Sequence, residues 1–139
     1  MGVDRSEYAV ARYGTKRNLR LARFGQLGEL RFGAPVDLLV CADVLHYLPI
    51  AELRRGLPGF AELCGGMAFI EVFCRGDAIE GDVDGFVPRS AAFYRKAFAD
   101  AGFTACGSHA YLSPTLAADA VALELTASIA RSTASSRSR

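Results

Sequence analysis

The sequence predicts an α/β domain of three layers, with helices on both faces of a sheet joined by right-handed crossovers. Three observations carry this. Strand-like and helix-like patterns alternate along most of the 139 residues. Leu38 to Ala42 is an unbroken apolar run, which suits a parallel strand covered on both faces. That run ends in DLLVCADVLHYLP, where Asp43 and the histidine-bearing VLHYL turn at once into a helical pattern. The carboxyl end of such a strand is where open parallel sheets hold ligands.

The elements follow in order. Gly2-Val3-Asp4 reads as the end of a strand. Ser6 caps a helix with Glu7 in its first turn, and Gly14 lies at or near its end. Asn18 to Phe24 alternates as a short strand, and GQLGELRFGAP, with three glycines and a proline, reads as loop. Val36 to Cys41 is the strongest strand. Ile50 to Leu63 places apolar residues at 50, 53, 57, 60 and 63, a helical period. Pro58 inside it predicts a kink or two shorter pieces. Gly65-Gly66 reads as a sharp turn before the strand Met67 to Phe73. RGDAIEGDVDGFVPR is a polar loop of the kind that carries binding residues on a rigid scaffold. Ser90 caps the helix SAAFYRKAFADAG, which Gly102 stops. Phe103 to Leu112 and Ala120 to Leu125 are read as two final strands. Residues 1–126 thus form one domain. The Ser/Arg-rich tail 127–139 is expected to be disordered.

With 16 basic and 15 acidic residues, net charge is +1. That excludes a broad nucleic-acid surface. Arg12 to Arg23 holds five basic residues and no acid, which reads as a solvated edge. Four cysteines without a C-x-x-C pair, beside only two histidines, argue against a metal site. Apolar surroundings for Cys41, Cys64 and Cys74 suit free buried thiols in a reducing compartment, so a cytoplasmic location is expected. No apolar run is long enough to cross a membrane.

GVDRSE, VDLLVCADVLHYL, the Gly65-Gly66 pair before MAFIEVF, and YRKAFADAGF followed by two strands resemble class I S-adenosylmethionine-dependent methyltransferases. The order and spacing match over nearly all of Gly2 to Leu125. The resemblance implies a Rossmann-like, mostly parallel sheet whose last strand is antiparallel, and S-adenosylmethionine as cofactor. It implies that Asp4 binds the ribose hydroxyls, since a carboxylate accepts two hydrogen bonds from a vicinal diol. Arg5 would lie near the adenosine edge. Gln26 and Leu27 stand where the family often has an acid for the adenine amine. Cys41 and Ala42 would border the methionine part of the cofactor. Asp43, His46 and Tyr47 would line the gap where donor and acceptor meet. The family's first strand and glycine-rich loop have no counterpart here, so a member lacking that first strand is expected, with two sheet edges left unpaired and open to self-association.

Methyl transfer needs alignment and an acceptor freed of its proton. His46 is the candidate base, with Asp43 beside it. Tyr47, Glu71, Arg89 and Tyr94 are candidates for holding the acceptor, and Arg75, Asp77, Asp82 and Asp84 are further polar groups of the long loop. His109 is expected to be structural. The lack of an N/D-P-P-Y motif and the charge balance favour a small-molecule acceptor. Two other function classes stay open. One is a non-catalytic pairing module, or a gene fragment, derived from a methyltransferase. The other is a nicotinamide-dependent oxidoreductase, in which a strand-ending acid also binds ribose; VLHYL and the two-strand ending favour methyl transfer over it.

Overall fold

The computed structural model describes residues 1–79 and 83–119. Its first unit is β1 (Gly2–Asp4), α1 (Glu7–Arg17) and β2 (Leu19–Leu21), with β1 and β2 parallel. Ser6 caps α1 by accepting the Ala9 N–H, and Asn18, at φ 50, ends it in the left-handed region. Gly14 is an interior helical residue, so the stop lies four residues later than expected. Asn is among the few residues that adopt that conformation readily.

A second sheet holds β3 (Val36–Ala42), β4 (Cys64–Glu71), β5 (Thr104–Gly107) and β6 (Ala110–Leu112), in the order β3-β4-β6-β5. β3 and β4 are parallel, while β6 is antiparallel to both β4 and β5. Between β3 and β4 runs α2 (Ile50–Leu63); α3 (Ala91–Asp100) precedes β5, and the short α4 (Pro114–Ala118) follows β6. Leu39, Cys41, Ala68, Ile70 and Tyr111 share one face through the strand register. They pack with Leu53, Leu57 and Phe60 of α2 and Tyr94 and Phe98 of α3 into the core. The opposite face carries Leu38, Val40, Met67 and Phe69, of which Leu38 and Val40 are 62% and 63% exposed. Among the described residues helices therefore cover one face of this sheet, and the expected second helical layer over it is not found.

Four local expectations are corrected. GQLGEL is a 3-10 helix, Phe24–Glu29, rather than loop. It packs on α2, where Gly56 and Gly59 let the backbones meet: a Cβ on Gly59 would fall 2.1 Å from the Gly28 nitrogen. α2 itself runs through Pro58 as one helix, although proline denies the Arg54 carbonyl its helical donor. Gly65-Gly66 is strand, not turn. Three residues of β3, Val36 to Leu38, face four of β4, Cys64 to Met67, which is a bulge. A Cβ on Gly66 would lie 2.2 Å from the Asp37 carbonyl oxygen. Finally, Phe103 to Leu112 is two strands. Ser108 and His109, at φ 50 and 63, form the tight turn between them, in the left-handed pattern that suits two-residue hairpins. The strand read at Ala120 to Leu125 and the tail 127–139 lie outside the described residues.

Candidate functional site

Two strand ends carry the predicted acids. At the end of β1, one Asp4 carboxylate oxygen accepts the Ser6 N–H at 2.8 Å. This ties the acid to the start of α1, where the helix dipole favours it. The other oxygen has no partner among the described residues and can accept further donors. Arg5 beside it is exposed.

β3 and β4 end side by side, with Ala42 opposite Glu71 in the parallel register. Both are half-buried. Just beyond, Asp43 sits exposed at φ 56, a backbone state an aspartate tolerates and most residues do not. Such a residue at the carboxyl rim of a parallel pair is a common sign of a ligand site. Cys41, two residues before Asp43, is turned away from the rim. Its side chain belongs to the core, and burial pushes its thiol up to about 12, so it is neutral and turned from the rim.

His46 lies in a 3-10 turn, Leu45–Tyr47, and is 1% exposed. Its Nδ1 accepts the Phe73 N–H at 3.3 Å; a neutral ring therefore carries its proton on Nε2. Tyr47, Phe73 and Phe86 surround it, with ring centroids 4.3, 5.4 and 5.6 Å away. Its carbonyl accepts the Val87 N–H at 2.9 Å. Burial lowers its pKa below 6.5, and the Asp43 carboxylate only partly opposes that. Phe73, Phe86 and Val87 are thus parts of the site that sequence reasoning missed. Their only signal was the pair of apolar spots flanking a polar loop.

Gln26 and Leu27 lie in the 3-10 helix Phe24–Glu29. Gln26 Oε1 accepts the Arg23 N–H at 2.8 Å, which caps that helix, and the Leu27 side chain is core. Arg89 and Tyr94 turn inward. The Arg89 guanidinium donates to the Leu45 and Leu48 carbonyls and to the Tyr94 hydroxyl. Both side chains are buried, which spends them on the fold rather than on an acceptor. Of the remaining loop residues, Asp77 accepts the Cys74 N–H and Arg75 donates to the Pro88 carbonyl; Asp82 lies outside the described residues.

One hollow, about 470 Å³, lies between α2 and α3, and another, about 220 Å³, lies near Pro35 and Leu63. Neither is lined by the strand ends, where Asp43 is exposed and Ala42 and Glu71 are half-exposed, so the rim is a shelf open to solvent. Among the described residues no group of side chains could hold a metal ion, and no helix is long and apolar enough to cross a membrane.

No protein-family model and no curated protein matches the sequence. One similar solved structure comes from work on the conversion of a disulfide bond into a thioacetal group during echinomycin biosynthesis. The likeness has a TM-score of 0.57 at 16% identity, over 99% of this chain and 72% of that one. At that identity it speaks to the fold alone, a mixed α/β arrangement consistent with a Rossmann-like sheet.

Proposed function

We propose that the strand-end shelf binds the nucleoside part of S-adenosylmethionine and serves transfer of its methyl group to a small-molecule acceptor. The observation that carries this is the rim itself: parallel strands ending together at Ala42 and Glu71, with Asp43 left-handed just past them. The residues present fit part of the cofactor. The unpartnered Asp4 oxygen suits a ribose diol, and Ala42 and Asp43 can border the methionine moiety. Gln26 keeps one lone pair of Oε1 for the adenine amine, since Arg23 uses the other. Leu27 can contribute only its backbone, and Cys41 likewise.

When bound, S-adenosylmethionine supplies an activated methyl on a sulfonium. The chain's own contribution is orientation and removal of one proton from the acceptor. Asp43 and Glu71 are the exposed or half-exposed acids at the rim and are assigned that proton. His46, whose Nδ1 is engaged by Phe73, is assigned to holding the turn from Val44 to Leu48 in place. Tyr47 walls the acceptor side.

Calorimetric titration with S-adenosylmethionine and S-adenosylhomocysteine tests the proposal. Saturable heat that Asp4→Ala abolishes supports it; no heat at millimolar ligand removes it. A second function is favoured by one observation, the exposed Leu38 and Val40 on an uncovered sheet face. In that case the chain is a non-catalytic module whose open face pairs with a second copy.

A further inference from the structure

We propose that Arg89 is the positioning residue of the strand-end shelf. It is 92% buried as a cation, being 8% exposed, and no carboxylate lies within ion-pair distance of it among the described residues. A guanidinium taken out of water in that way needs its donors filled. Here Nη1 and Nη2 reach across 44 and 41 residues of chain to the carbonyls of Leu45 and Leu48. Those two carbonyls bracket His46 and Tyr47. The fork also donates to the Tyr94 hydroxyl at 3.1 Å, and its plane lies over the Phe93 and Tyr94 rings at 5.5 and 6.0 Å.

The consequence is a cross-link between three elements. Ser90, the next residue, caps α3 through the Phe93 N–H, so the Arg89 backbone is fixed to the start of that helix. The Arg89 carbonyl accepts the Arg75 N–H at 2.7 Å, which fixes the base of the long loop. From this anchor the side chain grips the turn that follows Asp43. The opposite side of the same turn is held by Phe73 and Val87, through His46. A lysine could fill one of those carbonyls but not the fork, because its single ammonium lacks the planar pair of donors. Arg89 therefore sets where Asp43, His46 and Tyr47 stand without touching a ligand.

Amide hydrogen exchange on wild type, Arg89→Lys and Arg89→Met, with S-adenosylmethionine titrated into each, tests this. The expected result is exchange about tenfold faster at residues 44–48 in both variants, with β3 and β4 amides unchanged. Affinity for S-adenosylmethionine falls about tenfold in Arg89→Met, with a partial return in Arg89→Lys. Unchanged exchange at 44–48, an opening spread evenly over β3 and β4, or unchanged affinity despite a loosened turn each overturns it. If the Arg89 variants do not fold, Tyr94→Phe, which removes one of the three partners, decides: faster exchange confined to 44–48 supports the proposal, and none overturns it. The affinity arm rests on the proposed function. If wild type takes up no S-adenosylmethionine, that function fails, and the exchange comparison alone judges Arg89.

Discussion

His46 shows how far a single residue could be read in advance. Its place after a parallel strand was legible, because VLHYL follows an apolar run that ends in an acid. Its chemistry was not, because which nitrogen is occupied depends on Phe73, 27 residues away. A buried neutral ring makes a pH prediction. The folded-state pKa lies below the 6.5 of the free side chain, so folding favours the neutral form. That stabilisation is complete above about 6.5 and is lost as pH falls through the lowered folded value. Urea denaturation at pH 7.5 and at pH 5 should show a loss of stability on acidification that His46→Phe largely removes. The same variant strands the Phe73 N–H and should cost about 1–3 kcal/mol at pH 7.5. Asp4 gives the complementary case. Asp4→Asn keeps an oxygen for the Ser6 N–H, so denaturation should change little, whereas affinity for S-adenosylmethionine should fall about tenfold with loss of the charge-assisted bond to the diol. Cys41, with its thiol held up to about 12 in the core, should resist iodoacetamide at pH 8 while exposed Cys106 is alkylated first; mass spectrometry of the peptides reads this.

At the scale of elements, periodicity succeeded where one face is buried and failed where geometry depends on a neighbour. α3 was legible from Ser90, the stripe of Phe93, Ala97 and Ala101 widened by Tyr94 and Phe98, and Gly102, all local signals, and β3 from its run of apolar residues. The 3-10 helix Phe24–Glu29 was not legible, since its two glycines argue for loop until α2 is known to lie on it. Gly65-Gly66 carries the usual mark of a turn, but Gly66 answers a close approach by Asp37, and Gly65 lies against Pro35. The hairpin turn Ser108-His109 lacks the Asn-Gly pair that announces such turns, so two short strands read as one long one. The glycines of α2 supply the prediction at this scale. Gly59→Ala puts a methyl within 2.1 Å of the Gly28 nitrogen and 2.4 Å of its Cα, and backbone cannot yield as a side chain would. Despite alanine's better helix propensity, the variant should lose about 1–3 kcal/mol by overpacking, measured by urea denaturation. Gain of stability instead would mean that the 3-10 helix does not rest on α2.

Across the whole molecule, alternation of strand and helix foretold a mixed α/β, Rossmann-like sheet; the antiparallel β6 in the order β3-β4-β6-β5 comes from within Phe103 to Leu112, while the last antiparallel strand that the resemblance implied, at Ala120 to Leu125, lies outside the described residues. Alternation says nothing about which face stays bare, because Leu38 and Val40 look like core in any sequence window. The structure separates β1-β2 from the other strands and leaves those two side chains more than half exposed. An apolar sheet face beside a β3 edge that no other strand pairs among the described residues is the feature most apt to associate. Leu38→Thr combined with Val40→Thr puts β-branched, strand-compatible threonine at both positions while removing apolar surface. If the face is open in the monomer, the pair should alter the urea midpoint of dilute protein by no more than about 0.5 kcal/mol, as exposed substitutions do. Sedimentation at rising concentration should then show weaker self-association than wild type. A loss of several kcal/mol in dilute protein would mean instead that another layer of the same molecule covers these side chains, since only buried apolar groups carry such a cost on truncation. The two outcomes separate a face that waits for a second copy from one already packed within the chain.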